Sequence, residues 1–439
     1  MPTLYLNSKL LLLKTTLINK GLVAKLKSTG IYMLVPVVNF IVSFTTSPIF
    51  AKHLSAEEFG YYGYYNTLTT FLLVFSSLSL QTYYMSIFFK EPEEQRKAIQ
   101  TTLIVFTLIW NLVFFPIAYL GIYLYLRFSH SQIPFFPFAL LALVTSILGI
   151  FKGFVQINYR LGNQSVKYLI IVSGYRVLGI LLSLYFVVYA KMALEGRMLG
   201  VFIVEFAFFI ISLYTIFKGQ KITIQKAVVK IAIRKLLPLL PASFLFWPLM
   251  SYDIIVVERL NQPVQMGLYN IGKGIANYLY IALFSFFQAF EPDIYKYAST
   301  YNLKALRKTG LLITALVVVT ILFYWLFSPL LIQYLTAGRF NGAIQYSNIL
   351  AVTYGLIIIY SVLDAIILAW QNTKANLYFN IIGASLSFIT YTLAAKYYQQ
   401  QGVAVATVLT HLILVSVLII FITRKLKQYN GAATMQSLN

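Results

Sequence analysis

Six ionisable side chains interrupt long apolar stretches: Arg176, Glu205, Asp253, Lys273, Asp364 and His411. A charge facing hydrocarbon costs at least about 2.5 kcal/mol, so such groups pair with one another or line a wet path. Asp253 and Lys273 each lie roughly 8–10 Å from the same end of successive spans, at about 1.5 Å per residue, which predicts an ion pair across the hairpin. Left intact, that pair satisfies two buried charges; opened, it lets Lys273 meet an anionic ligand while Asp253 serves as its resting counter-ion. Arg176 sits near the middle of its span, where a planar guanidinium can grip an oxyanion with paired donors. Glu205, one span further on and within about one turn in depth, is the alternative partner for Arg176.

Asp364, near the basic end of its span, reads either as an interfacial carboxylate or as a site for Na⁺ or a proton. His411 is either a titrating group or a packing residue on an apolar helix. The first span carries no carboxylate; its polar set is Asn39, Ser43, Thr45, Thr46 and Ser47, followed by Pro48, which frees backbone groups and invites a kink. Asn39, with Gln81 and Gln288 from later spans, can hydrogen-bond hydroxyl groups, and such small polar residues also serve helix packing. Tyr61, Tyr62, Tyr64 and Tyr65 suit an interfacial aromatic belt, with ring stacking on a ligand as the other use.

Whole classes of chemistry are missing. The chain has no cysteine, which removes disulfides, thiolate metal sites and cysteine nucleophiles, and its three histidines are too scattered for a metal cluster. No GxxxxGK[ST] loop occurs, so nothing supports ATP hydrolysis. Neither an enzymatic centre nor a cofactor is expected.

The elements that position these groups follow from composition. Of 439 residues, 59% are hydrophobic and 10% charged, against about 25% charged in a soluble domain. That excludes a cytosolic globule, a disordered chain and a collagen-like fibre. The fold class is all-α and polytopic. Apolar runs of about 20 residues predict twelve spans near 31–52, 60–88, 101–127, 134–158, 167–190, 199–217, 237–258, 266–290, 309–335, 343–369, 377–397 and 403–423. Assigning the connecting segments to alternate sides places 25 Lys and Arg on one side, residues 152–168 among them, and 7 on the other. The positive-inside rule then makes both termini cytoplasmic. The net charge of +22 therefore marks membrane topology, and no basic stretch interleaved with aromatics predicts a nucleic-acid module.

Residues 1–30 have no signal-peptide pattern and read as a basic interfacial segment or a frayed tail. An N-lobe of six spans (31–217) leads to a linker (218–237) in which Lys226, Lys230 and Arg234 share one helical face. A C-lobe (238–423) and a cytoplasmic tail (424–439) complete the domain plan. The lobes read as a duplication. Gly60 and Gly267 align at an offset of 207, each followed two residues later by a tyrosine, and Gly196 and Gly402 align at 206. An even number of spans per copy predicts like orientation and a pseudo-twofold along the membrane normal. Lobes of that kind would enclose a central cavity open to each side in turn.

Four stretches in order, "SPIFAKHLSAEEFGYY" (47–62), "YDIIVVERLNQPVQMGLYNIGKGIA" (252–276), "SPLLIQYLTAGRFNGAIQYSNILAV" (328–352) and "QQGVAVATVL" (400–409), resemble bacterial polysaccharide-unit flippases, the O-antigen and exopolysaccharide transporters of the multidrug/oligosaccharidyl-lipid/polysaccharide exporter superfamily. The resemblance covers nearly the whole chain. It implies a protein of the bacterial cytoplasmic membrane that flips a polyprenyl-diphosphate-linked oligosaccharide outward, in contact with membrane lipid and with polysaccharide assembly enzymes. Arg176 and Lys273 would then meet diphosphate or acidic sugar, and Asn39, Gln81 and Gln288 sugar hydroxyls. The alternative within the superfamily is a cation-coupled multidrug exporter, for which a first-helix acid is expected and absent. An integral-membrane glycosyltransferase or polymerase fits less well, because every outer loop is about a dozen residues or fewer.

Overall fold

The computed structural model describes residues 31, 34–220, 224–237 and 240–436, so the segment expected at 1–30 lies outside the described residues. The first half holds α1 (Leu34–His53), α2 (Ala56–Ser77), α3 (Leu80–Ile87), α4 (Glu93–Phe128), α5 (Phe138–Leu161), α6 (Ser165–Tyr189) and α7 (Ala193–Phe217). A short α8 (Lys226–Leu236) precedes α9 (Leu240–Glu258), α10 (Pro263–Ser299), α11 (Leu303–Leu335), α12 (Ala343–Ala369) and α13 (Thr373–Gln436). No strand occurs among the described residues.

Local rules set the helix ends. Ser55 and Glu58 form a reciprocal capping box at α2, with Glu58 Oε2 accepting from Ser55 N–H at 2.7 Å and Ser55 Oγ from Glu58 N–H at 3.2 Å. Pro263 opens α10, where a missing N–H costs nothing. The stretch predicted as one span at 60–88 is broken by Leu78 and Ser79, both at positive φ, into α2 and α3. In α13 the backbone leaves the helical region at Gln399. Thr390 there meets Thr410, and Phe379 meets Phe421, so α13 is a hairpin folded near residue 400. Counting α2–α3 once, α13 twice and leaving α8 aside gives twelve crossings among the described residues. Their outer faces carry exposed Leu112, Ile117, Leu326 and Leu330, as lipid contact demands.

The chain forms two compact units. The first contains residues up to Ile49, Ser76–Pro116 and Leu140–Leu236; the second contains Phe50–Phe75, Ile117–Ala139 and everything from Leu237. Two of the boundaries fall at or beside a proline, Pro48 in α1 and Pro116 in α4, where a helix loses a backbone hydrogen bond. Within the first unit α6 packs along α7, and α3 against α8. Within the second, α10 packs along α12, and α13 along α9 and α12.

The second unit also brings the first repeat anchors together. A Cβ on Gly267 would land on the Ala56 carbonyl, and one on Gly60 would stand 3.0 Å from Gly267 N. Asn270 Nδ2 donates to Gly60 O at 3.3 Å, and its side chain fills the place of a Gly63 Cβ. An element touching its own repeat counterpart is what a near-axial position in a twofold arrangement produces. Arg339 adds a clasp here by donating from Nη1 to the carbonyls of Ala51 and Leu54 at the end of α1. The tyrosine cluster serves this packing, which corrects the aromatic-belt expectation for two of its members. Tyr64 and Tyr65 are fully buried, and Tyr65 Oη donates to Pro134 O at 2.6 Å.

Candidate functional site

In the first unit a polar group forms where α6 meets α1. A π-helical segment, Ile170–Gly174, ends two residues before Arg176, and such insertions are frequent at functional sites. Arg176 is exposed, and its Nη2 donates to Ser43 Oγ at 3.4 Å. Asn39, one turn before Ser43 on α1, has a buried Oδ1 with no hydrogen-bond partner among the described residues. An exposed guanidinium here can receive an oxyanion with paired donors.

Glu205 does not join Arg176, contrary to the sequence expectation. It is 1% exposed, and Oε2 takes a hydrogen bond from Lys152 Nζ at 2.7 Å. Lys152 stands over the Tyr175 ring, 2.9 Å from its centroid. Counting Lys152 with the cytoplasmic cations was therefore wrong. It lies nine residues inside the end of α5, about 13 Å of helix, facing α7. The small Gly149 one turn earlier leaves Glu205 Oε1 in ordinary contact, 3.4 Å from where a Cβ would be. Nothing in the hydropathy pattern marked Lys152; the available signal was Glu205, a carboxylate inside an apolar span two helices further on. Gln81 is committed to packing, its Nε2 donating to Ile150 O at 2.7 Å where Gly153 leaves room.

The second unit holds the expected hairpin pair. Lys273 Nζ reaches Asp253 Oδ1 and Oδ2 at 2.7 and 2.8 Å and the Met250 carbonyl at 3.0 Å. The buried Tyr269 donates to Asp253 Oδ2 at 2.7 Å, a partner the sequence reading missed. Its spacing of i−4 from Lys273 was the signal, since both then project on one face of α10. His411 is buried, with Nδ1 hydrogen-bonded to Thr407 O at 2.8 Å and Nε2 without a partner among the described residues. Gln288 is exposed on α10.

Asp364 lies elsewhere in this unit. It accepts from Asn376 Nδ2 and ends a chain in which Tyr360 Oη donates to Asn380 at 3.0 Å and Asn380 to Asn376 at 3.2 Å. With Glu291, Tyr295 and Ser361 it lines a cavity of about 170 Å³. Burial, then the Glu291 and Asp364 carboxylates, push the Tyr295 phenol above its ordinary pKa. No group of three or more metal-ligating side chains occurs among the described residues.

A polytopic all-α fold with paired and exposed charges inside its helices fits a membrane transporter. The family model described as polysaccharide biosynthesis protein matches residues 25–298, and the MatE model matches 238–393. The chain belongs to the polysaccharide biosynthesis protein family. No curated protein matches it. Among solved structures it is similar to the lipid II flippase MurJ in an inward closed conformation, at 16% identity and TM-score 0.70, covering 89% of this chain and 87% of that one. An inward-facing multidrug resistance MATE family transporter of the MOP superfamily gives 12% identity and TM-score 0.68, covering 90% and 96%. The Vibrio cholerae MATE transporter VcmN in its bent form gives 12% and 0.60, covering 93% and 98%. These likenesses define the fold.

Proposed function

We propose that the protein flips a polyprenyl-diphosphate-linked oligosaccharide from the cytoplasmic to the outer leaflet of a bacterial cytoplasmic membrane by alternating access. The observation that carries the reading is Arg176, an exposed guanidinium at the middle of a membrane helix that reaches Ser43 on α1. An exposed charge at that depth requires water beside it, and a glycan headgroup requires the same wet path. Family membership and the likeness to a flippase fold support the substrate class. The excess of basic residues on one side supports cytoplasmic termini.

In this reading Arg176 receives diphosphate, Asn39 and Gln288 meet sugar hydroxyls, and Lys273 exchanges Asp253 for an anionic group during the cycle. Asp364 and Asn376 hold the coupling ion, Na⁺ or H⁺. The chain acts as a transporter, with no catalytic step of its own and no organic cofactor, and receives its substrate from polysaccharide assembly enzymes. The MatE match over the second half favours one other reading, a cation-coupled drug exporter, but α1 lacks the carboxylate that reading expects.

The test is surface polysaccharide in a deletion strain carrying Arg176→Ala or Arg176→Lys at normal protein level. Export should fall at least tenfold in the first and partly recover in the second, since lysine keeps charge without the fork. Full export by Arg176→Ala would remove Arg176 from the substrate path. Drug resistance without polysaccharide export would favour the exporter.

A further inference from the structure

We infer that α8 is a docking surface for anionic phospholipid headgroups of the adjacent leaflet. Ala232 and Leu236 seat the helix against α3 in the first unit, and Lys235 reaches over the Tyr83 ring at 5.8 Å. Half a turn away the helix presents Lys226, Lys230 and Arg234, all exposed, at a spacing of four. Ile231 is 47% exposed beside them, and Ile224 and Leu237 flank the helix at 47% and 60%. Cations interleaved with exposed aliphatic side chains match an interface where headgroups meet acyl chains.

Charge bookkeeping identifies the occupant. From Glu205 to Asp253 the sequence holds no acidic residue. Among the described residues none of Lys226, Lys230 and Arg234 has a carboxylate within salt-bridge distance, and Glu91 acts on Tyr83, on the seated side of the helix. The face is therefore left to an external anion. The chain enters α9 four residues after α8 ends. A leaflet supplies many anions over the whole stripe, whereas one diphosphate group would occupy only part of it. The inference stands whatever cargo the protein carries.

The chain contains no cysteine, so Ala227→Cys, on the exposed face, places a single environment-sensitive dye on the full-length protein. Titrating short-chain phosphatidylglycerol into the protein in neutral detergent should shift emission to the blue and shield the dye from iodide, and phosphatidylcholine should do neither. Lys226→Gln/Lys230→Gln/Arg234→Gln should raise the half-saturating lipid concentration by on the order of a hundredfold, at about fivefold per cation. Lys226→Arg/Lys230→Arg should leave it unchanged. Equal responses to the two lipids overturn the inference even if the triple variant fails to fold. So does a full response to inorganic diphosphate alone, which would make the face a phosphoryl site instead.

Discussion

Among the described residues each unit buries one lysine–carboxylate pair beside a tyrosine, and the two are finished differently. In the second unit Lys273 spans both Asp253 oxygens, Tyr269 adds a third hydrogen bond, and the lysine side chain is 15% exposed. In the first, Lys152 is 8% exposed, holds one Glu205 oxygen and rests on an aromatic face, while Glu205 Oε1 has no partner among the described residues. The saturated pair is a closed structure that a ligand must open. The unsaturated one is held chiefly by burial, so its parts should be far less tolerant of single removal.

The largest expected effect is Lys152→Ala, which leaves Glu205 buried and unpaired at a cost of about 3–5 kcal/mol. Lys273→Ala should cost clearly less, because Tyr269 still holds Asp253 and the site is more open. Thermal unfolding in detergent measures both, and equal losses would break the contrast. Tyr269→Phe removes one hydrogen bond to a charged group and should cost about 1.5–3 kcal/mol. Tyr175→Phe keeps the ring under Lys152 and should leave that pair in place. Gly267→Ala drives a methyl group into the Ala56 carbonyl and should cost about 1–3 kcal/mol, whereas Gly274→Ala, with nothing within 4 Å, should not. Smallest of all is Lys152→Met with Glu205→Leu, expected to be neutral or stabilising.

Much of this was legible in the sequence because a membrane allows few solutions. Apolar run length gave the twelve crossings, and the repeat offset of 207 pointed to two glycines that do meet. The same offset carries Asp253, Tyr269 and Lys273 onto Thr46, Tyr62 and Asn66. Only the second copy is charged at these positions, so its pair could be read from two residues of opposite sign at matched depth. Lys152 escaped because the apolar run at 134–158 ends soon after it and basic residues follow, so the lysine reads with the adjoining loop although α5 continues to Leu161. The burial of Tyr64 and Tyr65 escaped because a belt and a packing contact share one composition. The π-helical segment before Arg176 leaves no mark in hydropathy at all.

The central claim is that a glycan-bearing diphosphate crosses the membrane on this protein along a wet path past Arg176. The most direct measurement reconstitutes the full chain in vesicles holding a fluorescent polyprenyl-diphosphate oligosaccharide and follows how fast probe in the far leaflet becomes accessible to an external quencher. The account predicts rapid equilibration with the wild type, at least tenfold slower with Arg176→Ala, and an intermediate rate with Arg176→Lys. A wild-type rate no faster than protein-free vesicles, or an Arg176→Ala rate equal to wild type, would contradict it.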